Sequence, residues 1–131
     1  MTVGLGMAGW TRFRERTLLN SAVDKLKSEL HFVRSKAASG EKPVPDEDCP
    51  TLYGYRVSEN NDNLVSTALC SETAVGEQTE IVINTAVGRT FTDFPVLFKS
   101  VSGVADHPAS IILQYRGMTG MINILESGEI E

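Results

Sequence analysis

The sequence has no apolar run long enough to cross a bilayer as a helix, which takes about 20 residues. Its first ten residues, MTVGLGMAGW, carry no charge but are too few to span one. They also lack the basic start and the cleavage site of a signal peptide. We expect them to be the end of an apolar helix. Either an apolar N-terminal segment is missing from this chain, or a soluble protein begins at Met1.

Basic residues are also scarce. The chain has 12 Lys and Arg against 17 Asp and Glu, which gives a net charge of −5 and an isoelectric point of about 5.0. Proteins that bind nucleic acid need a clustered excess of Lys and Arg to neutralise phosphates. This balance argues against a nucleic-acid partner. A small basic group, Arg12, Arg14 and Arg16, follows the apolar start and suits either anionic lipid headgroups or an exposed helix end.

Only two cysteines occur, Cys49 and Cys70, and they are 21 positions apart. They lack the paired spacing and the neighbouring histidines that a zinc site requires. We interpret them as a disulfide, which would stabilise the fold by about 3 kcal/mol in an oxidising compartment. The alternative is two unpaired cysteines, one in a loop and one in a half-buried strand.

Residue periodicity predicts one α+β domain over residues 1–131, with a long N-terminal α-helix packed on an antiparallel β-sheet. Apolar residues recur every three or four positions from Thr11 to Ser39, and Gly40 ends the helix. This helix of about 40 Å is longer than the domain, so part of residues 1–39 should project. The apolar stripe consists of Leu19, Ala22, Val23, Leu26, Leu30, Val33 and Ala37.

The period changes to two in residues 40–131, which predicts the sheet head. Short runs rich in β-branched and aromatic residues are separated by Gly, Asn, Asp and Ser clusters, which is typical of strands joined by turns. The predicted strands are 52–58, 64–70, 79–84, 96–101, 110–115 and 120–125, with a short last piece at 129–130.

Motifs of catalysis are lacking: there is no glycine-rich phosphate loop, no G-x-S-x-G and no H-E-x-x-H. His31 is expected on the helix surface. His107 with Asp106 suits either an acid–base or metal pair or a turn before Pro108.

The acidic loop of Asp46, Glu47 and Asp48 lacks the ligand spacing of an EF-hand, so a solvated loop is favoured over a calcium site. A polar hairpin turn accounts for residues 60–63. We therefore expect no enzyme activity, no metal and no cofactor.

Several segments resemble type IV pilin-like proteins, and most closely the minor pseudopilins of type II secretion. LKSEL at 26–30 and VRSKAASG at 33–40 are similar to the end of the long pilin helix. CPTLYGY at 49–55, followed by Cys70, resembles two-cysteine heads of prepilin-type proteins. Residues 116–124 and 127–130 resemble the closing strands of such heads. The family's basic leader, cleavage site and apolar half-helix with its glutamate are absent from these residues.

This resemblance implies a structural subunit of an extracellular or periplasmic filament, anchored in the membrane by the missing apolar segment before assembly. It implies other pilin subunits and an inner-membrane assembly machinery as partners. One alternative is a binding module of the same fold that captures DNA or a surface ligand. Another is a small cytoplasmic enzyme with Asp106 and His107 in a pocket. The residues expected to form the assembly helix are Leu5, Met7, Trp10, Phe13, Leu18 and Leu19.

Overall fold

The structure is a computed structural model that describes residues 2–42, 49, 51–70 and 73–131, of which 2–9 and 73–77 are described by their backbone alone. Its first element is a single helix, α1, Thr2–Ser39. The uncharged start and the amphipathic stretch predicted from Thr11 onward therefore form one helix. At 38 residues it is about 57 Å long.

Gly40 ends α1, as predicted. It adopts a left-handed conformation with φ of 71°, which costs glycine nothing because it has no Cβ. Its N–H donates to the carbonyl of Ala37 and the N–H of Glu41 donates to that of Lys36, both at 3.0 Å. These two bonds form a Schellman motif, which satisfies carbonyls that the helix itself leaves unpaired.

The predicted apolar stripe of α1 faces the core. Ala22 and Val23 are partly buried, and the remaining five residues of the stripe are fully buried. The helix contacts four strands, most extensively the last one. Gly120 in that strand permits the close approach, because a Cβ there would lie 2.7 Å from a methyl carbon of Val23.

The described residues after Gly40, which we call the head, form seven antiparallel strands: β1 Leu52–Asn60, β2 Asn63–Cys70, β3 Thr73–Ile81, β4 Gly88–Thr92, β5 Val96–Lys99, β6 Ala109–Tyr115 and β7 Met118–Ile124. They lie in two sheets, a four-stranded sheet in the order β3-β2-β1-β5 and a three-stranded sheet in the order β4-β6-β7. The α+β class is confirmed, and the strands divide between two sheets because β5 pairs with β1 while β4 pairs with β6.

Three strand predictions need correction, and one strand was missed. Strand β3 is Thr73–Ile81 where 79–84 was predicted, and β5 ends at Lys99. Strand β4 was missed, because its five residues are exposed or half-buried and carry no apolar alternation. The predicted strand at 129–130 is only a bridge between Ile130 and Ile124. Strand positions that depend on pairing partners were thus the least visible in the sequence.

Candidate assembly surface and other candidate sites

The N-terminal part of α1 carries two exposed aromatic rings. We call residues 2–17 the stem, since Leu18 is the first residue of α1 with a described side chain that packs against the core. The side chains of Trp10 and Phe13 are each 60% exposed. Their rings stack with centroids 5.9 Å apart and planes inclined by 22°. An exposed pair of large aromatic side chains on a helix is typical of a surface that contacts another molecule.

Three arginines surround this aromatic pair. One of them, Arg12, lies 3.5 Å from the carboxylate of Glu15 and donates to the backbone carbonyl of Arg116 at 3.1 Å. Arg14 and Arg16 are exposed. Exposed ion pairs such as Arg12–Glu15 contribute little to stability, so the charge of the stem remains available to a partner.

The residues predicted for the assembly helix fall in three environments. Leu5 and Met7 lie in α1, but their side chains are outside the described part of the structure. Leu18 packs against the core and Leu19 is buried within it, at 3% exposure. Trp10 and Phe13 are thus the members of this set whose described side chains are open to a partner.

Cys49 and Cys70 form a disulfide, as predicted. The S–S distance is 2.05 Å and the Cα atoms are 5.2 Å apart. Both residues are buried in the core. The bond fastens the segment that follows α1 to the end of β2, and such bonds persist in oxidising compartments.

His107 and Asp106 form an exposed latch between two connections of the head. Nδ1 of His107 lies 3.1 Å from Oδ1 of Asp106, and Nε2 lies 2.8 Å from the backbone carbonyl of Asp93. Asp106 Oδ1 also accepts a hydrogen bond of 3.0 Å from the N–H of Leu97. The latch therefore ties the turn between β4 and β5 to the connection between β5 and β6.

The two acceptors around the His107 ring, the Asp106 carboxylate and the Asp93 carbonyl, favour its protonated form, because a neutral imidazole carries only one N–H. The Asp93 carbonyl raises the pKa of His107 above its ordinary value, against a smaller opposing effect of burial, and the carboxylates of Asp106 and Asp93 add to the rise. Because both ring nitrogens are engaged, the imidazole in this conformation has no nitrogen free to act as a base. His31 lies exposed on α1.

A groove of about 320 Å³ separates α1 from the end of β3. Apolar side chains such as Leu18, Ala22 and Val82 line it, together with Lys25 and Asn84. Neither Asp106 nor His107 lies there. Within residues 2–42, 49, 51–70 and 73–131, no three His, Cys, Asp or Glu side chains converge as metal ligands. The acidic loop of Asp46, Glu47 and Asp48 falls outside those residues.

Sequence reasoning missed the hydrogen-bonding role of Arg89. Its guanidinium donates to the backbone carbonyls of Asp62 at 2.8 Å, of Ile83 at 3.4 Å, and of Asn84 and Val87 at 2.7 Å each. It also lies 3.3 Å from Oδ1 of Asn63. One side chain thus joins the β1–β2 turn, the end of β3 and the start of β4. Three of the carbonyls lie two to six residues before Arg89, and the link to the β1–β2 turn spans 26–27 residues, so no sequence motif marks the arrangement.

The predicted polar turn at 60–63 connects β1 to β2. Asn61 and Asp62 adopt left-handed conformations with φ of 50° and 66°, as in hairpin turns that favour Asn and Asp. Asn63 Oδ1 accepts a hydrogen bond of 3.0 Å from the N–H of Ile83. The polar residues of this turn therefore have structural roles.

Over the described residues, α1 has no stretch that combines the length and the apolar character of a membrane span. Comparisons with protein-family models, with curated proteins and with solved structures return no match to this chain. The fold, the stem and the disulfide are therefore the features of this chain that bear on its function.

Proposed function

We propose that this chain is a structural subunit of a type IV pilus-like filament and that it assembles through its N-terminal helix. The observation that carries the proposal is the stacked pair of Trp10 and Phe13, each 60% exposed on a helix that continues into the core of the head. The helix is rigidly joined to the head by its buried half, so a contact made by the stem fixes the position of the whole subunit.

Burial of the two rings against a neighbour would be favourable. Apolar area removed from water contributes about 25 cal/mol per Å², and aromatic side chains bury some 150–250 Å² each when fully covered. Binding by the stem alone must also overcome the loss of translational and rotational freedom. A filament meets this cost by repeating the contact along its length and by adding further helix contacts upstream.

The disulfide supports an exported protein. A buried bond between Cys49 and Cys70 requires an oxidising compartment in which to form and persist. In the proposed role, the precursor is held in the membrane by an apolar segment that precedes this sequence, and an inner-membrane machinery adds it to other pilin subunits. The mature filament is then extracellular or periplasmic.

We propose no catalytic role for His107. Its two ring nitrogens face Asp106 and the Asp93 carbonyl, and its side chain is exposed on a connection of the head. A latch within the fold accounts for this geometry. The net charge of −5 likewise favours protein partners over DNA.

The proposal is tested on cells that produce the protein. Surface filaments are sheared off, purified and analysed by mass spectrometry, and intact cells are labelled with gold-conjugated antibodies against the head. We expect the chain in the sheared fraction, with gold particles in rows along filaments. Cells with the gene deleted serve as the control for labelling. Recovery of the chain only from the cytosol, with two free thiols, would overturn the proposal.

A further inference from the structure

Val101 combines high exposure with an unfavourable backbone conformation. Its side chain is 77% exposed, and its φ is +72°. β-Branched residues strongly disfavour this left-handed region, since their Cβ substituents crowd the backbone. Its N–H donates to the carbonyl of Ala37 at 2.8 Å, which helps to cap the end of α1.

The fold needs only the backbone of this residue. A glycine would present the same N–H to Ala37 without the conformational cost. The exposed isopropyl group contributes little to the core, although one of its methyl carbons would lie 3.9 Å from a Cβ placed on Gly40. Strain that the fold does not require is a reason to look for a function, and an exposed apolar side chain suits contact with a partner.

Val101 lies at the C-terminal end of α1, where the connection after β5 meets the start of β1 and the turn that follows β7. We call four exposed residues of these segments, Tyr53, Val101, Glu126 and Glu129, the distal pole. The N–H of Ser100 donates to the carbonyl of Tyr53 at 2.8 Å, and Tyr53 is 42% exposed. The N–H of Ala105 donates to the carbonyl of Glu126 at 3.1 Å, and both glutamates are exposed. The pole lies at the C-terminal end of α1, whereas the stem is at its N-terminal end.

The stem and the distal pole are complementary. The stem presents two aromatic rings with arginines close by in sequence, and the pole presents two exposed apolar side chains and the carboxylates of Glu126 and Glu129. The half-buried Arg34 also reaches this end, but its Nε donates to the carbonyl of Gly103 at 3.1 Å. The stem, residues 2–17, contains three arginines and one glutamate, a net charge of +2. Residues 18–131 as a whole contain nine basic and sixteen acidic residues, a net charge of −7, and Glu126 and Glu129 are the part of it that belongs to the pole. Opposite charge on the two surfaces favours their encounter and fixes orientation.

We propose that the distal pole of one copy binds the stem of a second copy, with Val101 and Tyr53 against Trp10 and Phe13 and with Glu126 and Glu129 near Arg14 and Arg16. This inference rests on the proposed filament function and names its partner surfaces. The contact joins two different patches, so each bound copy leaves a free stem and a free pole. Such a heterologous contact extends into a filament when its rotation does not close a ring.

The first experiment measures self-association of the full chain at low salt. Trp10 is the only tryptophan, so its fluorescence reports directly on the stem. We expect its emission to shift to shorter wavelength as protein concentration rises, and sedimentation to show larger species over the same range. Emission that stays constant with concentration overturns the proposal.

Substitutions then locate the contact. Val101→Asp and Phe13→Ala should each weaken association at least ten-fold, whereas Phe32→Ala, at an equally exposed aromatic of α1, should leave it unchanged. Circular dichroism and thermal unfolding check that each variant is folded. If Val101→Asp is folded and associates as tightly as the unaltered chain, the pole is not the partner of the stem.

Charge exchange tests the pairing itself. One variant carries Arg14→Glu and Arg16→Glu, and the other carries Glu126→Arg and Glu129→Arg. Each variant alone should fail to associate, and an equimolar mixture should recover association because every stem then meets a pole of opposite charge. Failure of the mixture overturns the proposed pairing.

Phosphatidylglycerol vesicles test the rival partner, a lipid surface. If the vesicles shift the emission of Trp10 and the pole variants retain that shift, the stem binds lipid and the proposed pairing is overturned.

These outcomes are independent of the filament test. If the chain occurs in sheared filaments and the mixture fails, the filament function stands and this contact does not. If the mixture associates and the chain is absent from filaments, the contact stands and the function fails.

Discussion

The two halves of α1 differ in how they use apolar side chains. Trp10 and Phe13 in the stem are exposed, whereas Leu26, Leu30 and Val33 in the half that packs on the head are buried. Both halves are regular helix. Helix formation and core formation are therefore separate in this segment: the second half contributes to the core of the head, and the stem leaves the rings of Trp10 and Phe13 exposed.

The largest contrast between the halves is expected from truncation of one side chain in each. Leu30→Ala should lower the free energy of unfolding by about 2–5 kcal/mol, because it leaves a cavity in a fully buried site. Phe13→Ala should change it by no more than about 0.5 kcal/mol. Urea unfolding at low protein concentration measures both. Similar losses for the two variants would mean that the stem packs within the monomer.

The disulfide gives the next effect, and it acts on the head. Replacement of Cys49 and Cys70 by alanine should cost about 3 kcal/mol, since the unfolded chain regains the freedom of the closed loop. A reducing agent should destabilise the unaltered chain by a similar amount and leave the double variant unaffected. A denaturation midpoint that does not respond to reductant would contradict this prediction.

Substitution of Arg89 is expected to have a smaller effect on stability, and Arg14 in the stem provides a matched control. Arg89→Met should lower stability by about 1–3 kcal/mol, because it removes the donor for four backbone carbonyls. Arg14→Met removes a charge of the same kind from an exposed helical site and should leave stability within about 0.5 kcal/mol. Equal behaviour of the two variants would show that the carbonyls around Arg89 are satisfied by water.

Much of the fold could be predicted because its signals are local. The apolar stripe of α1, the stop at Gly40 and the turn at 60–63 depend on residues close together in sequence. The cysteine pair was predicted from its spacing and from the absence of zinc-ligand patterns. The two exposed aromatic residues of the stem, Trp10 and Phe13, belonged to the predicted assembly set because of the family resemblance.

Other features could not be predicted, since they depend on which distant segments meet. Strand β4 is defined by pairing with β6 and has no pattern of its own. The hydrogen bonds of Arg89 to Asp62 and Asn63 depend on the β1–β2 turn meeting the start of β4, 26–27 residues further along the chain. The φ of Val101 follows from where the connection after β5 meets the end of α1. Leu19 belonged to the predicted assembly set, and only the packing of α1 on the head shows that it is buried.

The smallest effect is a pH dependence that belongs to the head alone. The folded-state pKa of His107 is raised above its ordinary value, near 6.5, chiefly by the carbonyl of Asp93. The stability that it contributes is therefore present in full below that value and is lost as pH rises through the folded-state pKa. Because the ring is exposed, we expect a loss below about 1 kcal/mol.

His107→Gln removes the titrating group, and Asp106→Asn keeps it but removes one charged partner. Unfolding free energies at about pH 5.5 and about pH 8.5 bracket the ordinary pKa. The unaltered chain should lose more stability across this interval than His107→Gln does, with Asp106→Asn in between. An identical change in all three proteins would mean that the ring does not hold the two connections together. Association through the stem provides the contrast, because neither His107 nor Asp106 belongs to the proposed contact. A stem contact that weakened in parallel with the latch would mean that the head connections and the distal pole move as one unit.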